Sequence, residues 1–277
     1  MIKYELKGQI NTNQNGINKL LEFYYYLSHY NNESVEICFK KVRWFDANLC
    51  ALFGSIIFLL ENENNLNFHT SIEYIKENFD VLYRNGFFDN GINKSCIDER
   101  ESTVEYKSFS ITDDVGYAKY IDEKLLCHRG MPVRESEIVD KIRSSLLELF
   151  CNIEEHSNNN YKCFTCGQYY PIDGSFVFSV VDLGEGFLKN VKKKEPRIND
   201  SHSAINWAIK KNNTSKTTLG GLGLYYLDKF IVENNGDLHI ITDNTFWSKK
   251  GVNRKNLKVN TTYNTIGTTI NLVINCK

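Results

Sequence analysis

Between Ile2 and Tyr83 the apolar residues switch repeatedly between a two-residue and a 3.6-residue period, and this alternation restricts the fold more than any other feature. Ile2–Ile10 reads as a strand, Ile17–Tyr30 as an aromatic-rich helix, Val35–Phe45 as a strand and Ala51–Leu60 as a buried helix. Leu66–Thr70 reads as a short strand and Ile72–Tyr83 as an amphipathic helix. The pattern predicts a small α/β domain over residues 1–95. At roughly 150 residues per domain, a chain of 277 residues should hold about two. The second is expected at 135–277, with 96–134 connecting them.

None of the 33 asparagines falls between 101 and 150, where 17 residues are charged. Asparagine prefers caps and turns to helix interiors, so this stretch reads as helical. The abundance of asparagine elsewhere reads as coding bias without chemistry. From Glu135 a helix runs to about His156, with Ile138, Ile142, Leu146, Leu149 and Ile153 on one stripe. Strands follow at Tyr161–Tyr170 and Ser175–Asp182, then a basic polar stretch with a short helix at Ala204–Lys210. A helix at Leu224–Asn234 and strands at Asp237–Thr242 and Thr268–Ile274 close the chain. The expected assembly is an α/β two-layer sandwich, a mixed sheet with helices on one face.

Net charge is −1, but residues 187–258 carry 14 Lys or Arg against 6 Asp or Glu. Near-neutrality argues against nucleic acid as a partner, and the local excess is either a solvated surface or a polyphosphate contact. The longest apolar run, Leu49–Leu60, is shorter than the roughly 20 residues of a membrane span. With no apolar signal core in MIKYELKGQI and eight scattered cysteines, a cytoplasmic location with free thiols is expected. Cys163 and Cys166 have CxxC spacing, yet on a strand positions three apart point to opposite faces, which disfavours a shared metal.

Three separated segments carry chemistry. On the striped helix, spacings of four, three and four residues place Glu148, Asn152, and Glu155 or His156 on one face. A carboxylate, an amide oxygen and an imidazole so arranged offer a general base, a Mg²⁺ ligand and a phosphate neighbour; a solvated polar face is the plain alternative. In the second segment, an apolar strand ends at Asp182, followed by Gly184 and Gly186. There a carboxylate can accept from an exocyclic amine while the glycines let a ring lie on the backbone; an ordinary Asp-Gly turn is the alternative. In the third, Gly220, Gly221, Leu222, Gly223 and Leu224 precede a helix, where backbone amides can face phosphates; the alternative is a structural cap. Neither a Walker loop nor a dinucleotide fingerprint is present.

These boxes, in this order and followed by Asn234-Asn-Gly236-Asp and Gly267-Thr268-Thr269, closely resemble the GHKL (Bergerat-fold) ATP-binding domain of gyrase, heat-shock chaperones, mismatch-repair ATPases and histidine kinases. The resemblance covers about residues 135–277. It implies that Glu148 is the general base, that Asn152 holds Mg²⁺ and that Asp182 binds adenine N6 beside Gly184 and Gly186. It further implies that Gly221, Gly223 and Leu224 present amides to phosphates, that Thr268 joins the network behind Asp182, and that residues 188–219 form an ATP lid. Lys216 in that lid is a phosphate contact or a solvated lysine. His156 falls where anti-sigma-factor kinases also carry a histidine.

The first domain resembles a STAS domain, most clearly in Val42-Arg-Trp-Phe-Asp46-Ala47-Asn48-Leu. Regulatory members carry a phosphorylatable Ser or Thr beside the Asp. Ala47 and Asn48 cannot accept a phosphoryl group, so the domain is expected to dock a protein partner or a second copy, with Asp46 as a plain helix cap. His128 lies between helix breakers, Gly130 and Pro132, which disfavours histidine autophosphorylation. The resemblance therefore implies ATP and Mg²⁺ as cofactors and three readings. These are slow ATP hydrolysis gating association, a serine/threonine kinase like the anti-sigma-factor kinases, or a non-catalytic ATP sensor.

Overall fold

The computed structural model describes residues 1–88, 98–132, 135–156, 162–210, 222–252 and 259–276, with side chains of 154–156, 252 and 259 excepted. The first unit runs β1 (Ile2–Ile10), α1 (Gln14–Leu27), β2 (Ser34–Phe45), α2 (Cys50–Asn64), β3 (Asn67–His69), α3 (Ile72–Asn78) and α4 (Asp80–Arg84). Its three strands pair in parallel in the order β1-β2-β3. Asn13 caps α1 by accepting the Gly16 N–H at 3.1 Å, and Asn65 closes α2 with φ 51°. Asn32 and Asn235 also take left-handed backbone, so part of the asparagine complement serves turns and caps.

The second unit runs β4 (Thr103–Ser110), α5 (Asp114–Tyr120), a π-helical turn (Ile121–Leu126), α6 (Ser136–His156), β5 (Lys162–Tyr170) and β6 (Ser175–Asp182). It continues with α7 (Gly186–Lys192), α8 (Ser201–Ala208), α9 (Gly223–Glu233), β7 (Asp237–Thr242), β8 (Thr245–Ser248), α10 (Lys249–Val252), β9 (Val259–Asn260) and β10 (Thr268–Asn275). Seven strands form one sheet in the order β4-β5-β6-β10-β7-β8-β9. Every pairing in it is antiparallel, which corrects the expected mixed sheet: β5–β6 and β7–β8 are hairpins, and β10 returns between their inner strands.

Two further expectations change. The stretch read as a helical connector begins with β4, which pairs with β5 and belongs to the second sheet. A register shift between Val104 and Lys107 breaks its alternation, so Val104 and Phe109 enter one core while Tyr106 enters the other. The sheet is also covered on both faces. Helices α5, α6 and α9 pack on one side, and α2 lies across β5 and β6 on the other. That third layer explains why α2 is apolar around its circumference, with Phe53, Ile56 and Leu59 all buried. Cys163 and Cys166 enter opposite cores. Among the described residues no helix is long and apolar enough to cross a membrane.

The seam between the units is polar at its centre. Asp46 sits at the start of the turn Ala47–Leu49 without a capping bond from its side chain. Its Oδ2 accepts the Thr12 N–H and hydroxyl at 2.6 and 2.9 Å, and its Oδ1 accepts Trp44 Nε1–H and the Tyr170 hydroxyl at 2.6 and 2.8 Å. Asp46 therefore ties the first unit to β5, and the plain helix cap is corrected; Gln168 Oε1 takes the Ala47 N–H instead. Ala47 and Asn48 are fully buried, and Asn48 Nδ2 donates to the Ser179 hydroxyl at 2.9 Å.

Candidate functional site

On the side of the large sheet that carries α5, α6 and α9, an open cleft lies between α6, the ends of β6 and β10, α7, α8 and the start of α9. Glu148 and Asn152, one helical turn apart, form one wall of the cleft, while the adjoining Leu149 and Ile153 anchor α6 in the core. The floor is Asp182, Thr268, Val180 and Ile270.

Asp182 and Thr268 are directly paired across β6 and β10. Burial pushes the Asp182 carboxyl up to about 6, against the opposing effect of hydrogen bonds from the Gly184 N–H and from the backbone and hydroxyl of Thr268. The Gly184 bond measures 2.7 Å. A partly desolvated carboxylate at a cleft floor is a strong acceptor for a ligand N–H donor.

Two glycines permit this floor. Gly267 has φ 65°, and a Cβ there would stand 2.0 Å from the Asp182 carbonyl oxygen. Gly186 has φ 76°, and a Cβ would stand 2.7 Å from the Thr242 hydroxyl. Gly267→Ala is expected to destabilise the chain by about 2–4 kcal/mol, because the clash is with backbone and cannot be relieved by a rotamer change. Urea unfolding measures it, and a loss of under about 1 kcal/mol would show that the turn relaxes freely.

The remaining wall is mostly apolar, with Glu185 and Asn190 as its polar members. Phe187 and Val191 of α7 and Trp207 of α8 line it, and α8 is fastened to the sheet by Trp247 Nε1–H donating to Asn206 Oδ1 at 3.1 Å. Sequence reasoning missed these three residues, because their stretch reads as basic and polar. The i, i+4 spacing of Phe187 and Val191 was the available signal.

The three boxes converge only in part. Leu224 lines the cleft, and Gly223 packs so closely on α6 that a Cβ would lie 3.1 Å from Glu148 Oε2. Leu222, at the N-cap of α9, makes no side-chain cap bond, so first-turn amides are not taken up by it. Gly220, Gly221 and Lys216 lie outside the described residues, as do the side chains of Glu155 and His156. Among the described residues no lysine or arginine lines the cleft. The basic excess is partly spent in ion pairs, Lys189 with Glu185 and Lys249 with Asp228. No family model and no curated protein sequence matches the chain closely enough to place it.

Proposed function

We propose that the chain is a Mg-ATP-binding regulatory protein of the GHKL type, which uses ATP binding and slow hydrolysis to gate association with a protein partner. One observation carries this reading: Glu148 with Asn152, Asp182 with Thr268, and the start of α9, far apart in sequence, face a single cleft. Asp182 would accept from adenine N6, with Phe187, Val191 and Trp207 against the ring. The amide oxygen of Asn152 suits a hard cation that keeps most of its water, as Mg²⁺ does between phosphates. When bound, Mg²⁺ would neutralise phosphate charge. Glu148 would take a proton from water as the water oxygen bonds to the γ-phosphorus and the bond to the ADP oxygen breaks.

Gated association is favoured over phosphorylation of the chain's own first unit. The positions at which a STAS-type acceptor would stand are Ala47 and Asn48, non-nucleophilic and buried in the seam. A partner or second copy would have to use another face than α2.

Mg-ATP is expected to raise the melting temperature of the purified chain. Asn152→Ala should weaken binding by at least about tenfold and remove its dependence on Mg²⁺, since one ligand to a charged centre contributes about 1.5–3 kcal/mol. Calorimetry with and without Mg²⁺ measures both. No heat and no thermal shift in the wild type would sink the reading.

A further inference from the structure

The segment between β9 and β10 leaves the edge of the large sheet, passes along α1 of the first unit and reaches the floor of the cleft. Its outer end is fastened to α1 by residues on one helical face, Gln14, Asn18 and Tyr25. Gln14 Nε2 donates to the Asn260 carbonyl, and Asn18 Oδ1 accepts the Thr262 N–H at 2.8 Å. The Tyr25 and Tyr263 rings stack with centroids 4.9 Å apart and planes inclined by 23°. Tyr263 and Ile266 also pack against the core that the first unit shares with one face of the large sheet. At the inner end the Thr265 N–H donates to the Asp243 carbonyl, Gly267 presses on the Asp182 backbone, and Thr268 hydrogen-bonds the Asp182 carboxyl.

The two ends are a few residues apart along the chain, and both are held. A shift at Thr262 therefore has little slack to absorb it before Gly267, where backbone meets backbone. We propose that α1 is a positioning element of the cleft: Asn18 and Tyr25 hold the 260–267 strap, the strap holds Thr268, and Thr268 fixes Asp182. Where this concerns nucleotide affinity it rests on the ATP reading above. By linkage, whatever changes the strap's hold on α1 changes the affinity of the cleft, and a bound ligand is felt at α1 by the same factor.

The test uses the full chain and the variants Asn18→Ala, Tyr25→Ala and Tyr25→Phe. In the ligand-free protein, hydrogen exchange at the Gly184 and Thr268 amides should speed up about tenfold in both alanine variants, while mid-β5 amides keep wild-type rates. Tyr25→Phe, which keeps the stacked ring, should match wild type. Calorimetric affinity for Mg-ATP should fall by about five- to tenfold in the alanine variants, the usual size of a coupling between sites. Wild-type exchange at Gly184 and Thr268 in Asn18→Ala and Tyr25→Ala would overturn the proposal, whatever the nucleotide does. Altered exchange in a protein that binds no Mg-ATP would leave the strap standing and remove the ATP reading instead. If an alanine variant fails to fold, Thr262→Pro deletes the same N–H donor from an exposed loop position and is judged by the same two amides.

Discussion

Glu148→Gln is expected to lower phosphate release from ATP by about 10²–10⁴-fold while leaving Mg-ATP affinity within about threefold, the signature of a lost general base. Glutamine matches glutamate in size, which matters because α6 and α9 are in close contact there: Glu148 Oε2 lies where a Cβ on Gly223 would be 3.1 Å away. The substitution removes basicity without opening a gap between the helices. Single-turnover release of labelled γ-phosphate, with binding followed by calorimetry, separates the outcomes. Undiminished release in the variant would take Glu148 out of the chemistry. Transfer of the label to a partner protein, lost in Glu148→Gln, would make the chain a kinase, with a hydroxyl in place of water. Tight binding with neither release nor transfer in wild type would make it an ATP sensor that acts by shifting populations.

What sequence made legible, and what it hid, divides by the range of the interactions. Glu148 and Asn152 share a helix, so their spacing fixes their common face, and the cleft wall follows from local geometry. Asp182 ends an apolar strand, and a strand end beside glycines is readable in a single segment. The apolar wall was not readable. Trp207 faces the cleft because Trp247 anchors α8 from 41 residues away through Asn206. β4 was hidden by its own irregularity, since the register shift moves its inward residues out of phase. The seam was hidden for a third reason. Asp46 looks like a cap within its own segment, and only Tyr170, 124 residues later, and Thr12, 34 residues earlier, reveal it as a tie between units. α2 offered a usable clue: a helix apolar all round must be covered on more than one side, and the first unit alone has too few strands to do that.

Asp182→Asn is expected to stabilise the free protein at neutral pH while abolishing adenine-nucleotide binding. With a folded-state value of about 6 against 3.8 ordinarily, the native state holds more protons than the unfolded chain between those values. Stability therefore falls as pH rises through that window, and at pH 7 the buried charge costs on the order of 2–3 kcal/mol. Asparagine carries no charge to bury, and its remaining oxygen can still accept from Gly184 and Thr268, so most of that cost is removed. For a chain of this length the melting temperature should rise by about 4–8 °C at pH 7.5 and by roughly a third as much at pH 4.5, where native Asp182 is mostly protonated but the unfolded carboxyl is still mostly ionised. The same change loses one of the two acceptor oxygens and places an N–H₂ on the cleft floor. Adenine's own amine would then meet a donor, and affinity should drop by about two orders of magnitude. Melting curves at the two pH values test the first half, and calorimetry with Mg-ATP the second. A variant less stable than wild type at pH 7.5 would mean that the charge is held by its neighbours instead of strained by burial. A variant that is more stable yet still binds ATP with wild-type affinity would remove Asp182 from nucleotide recognition.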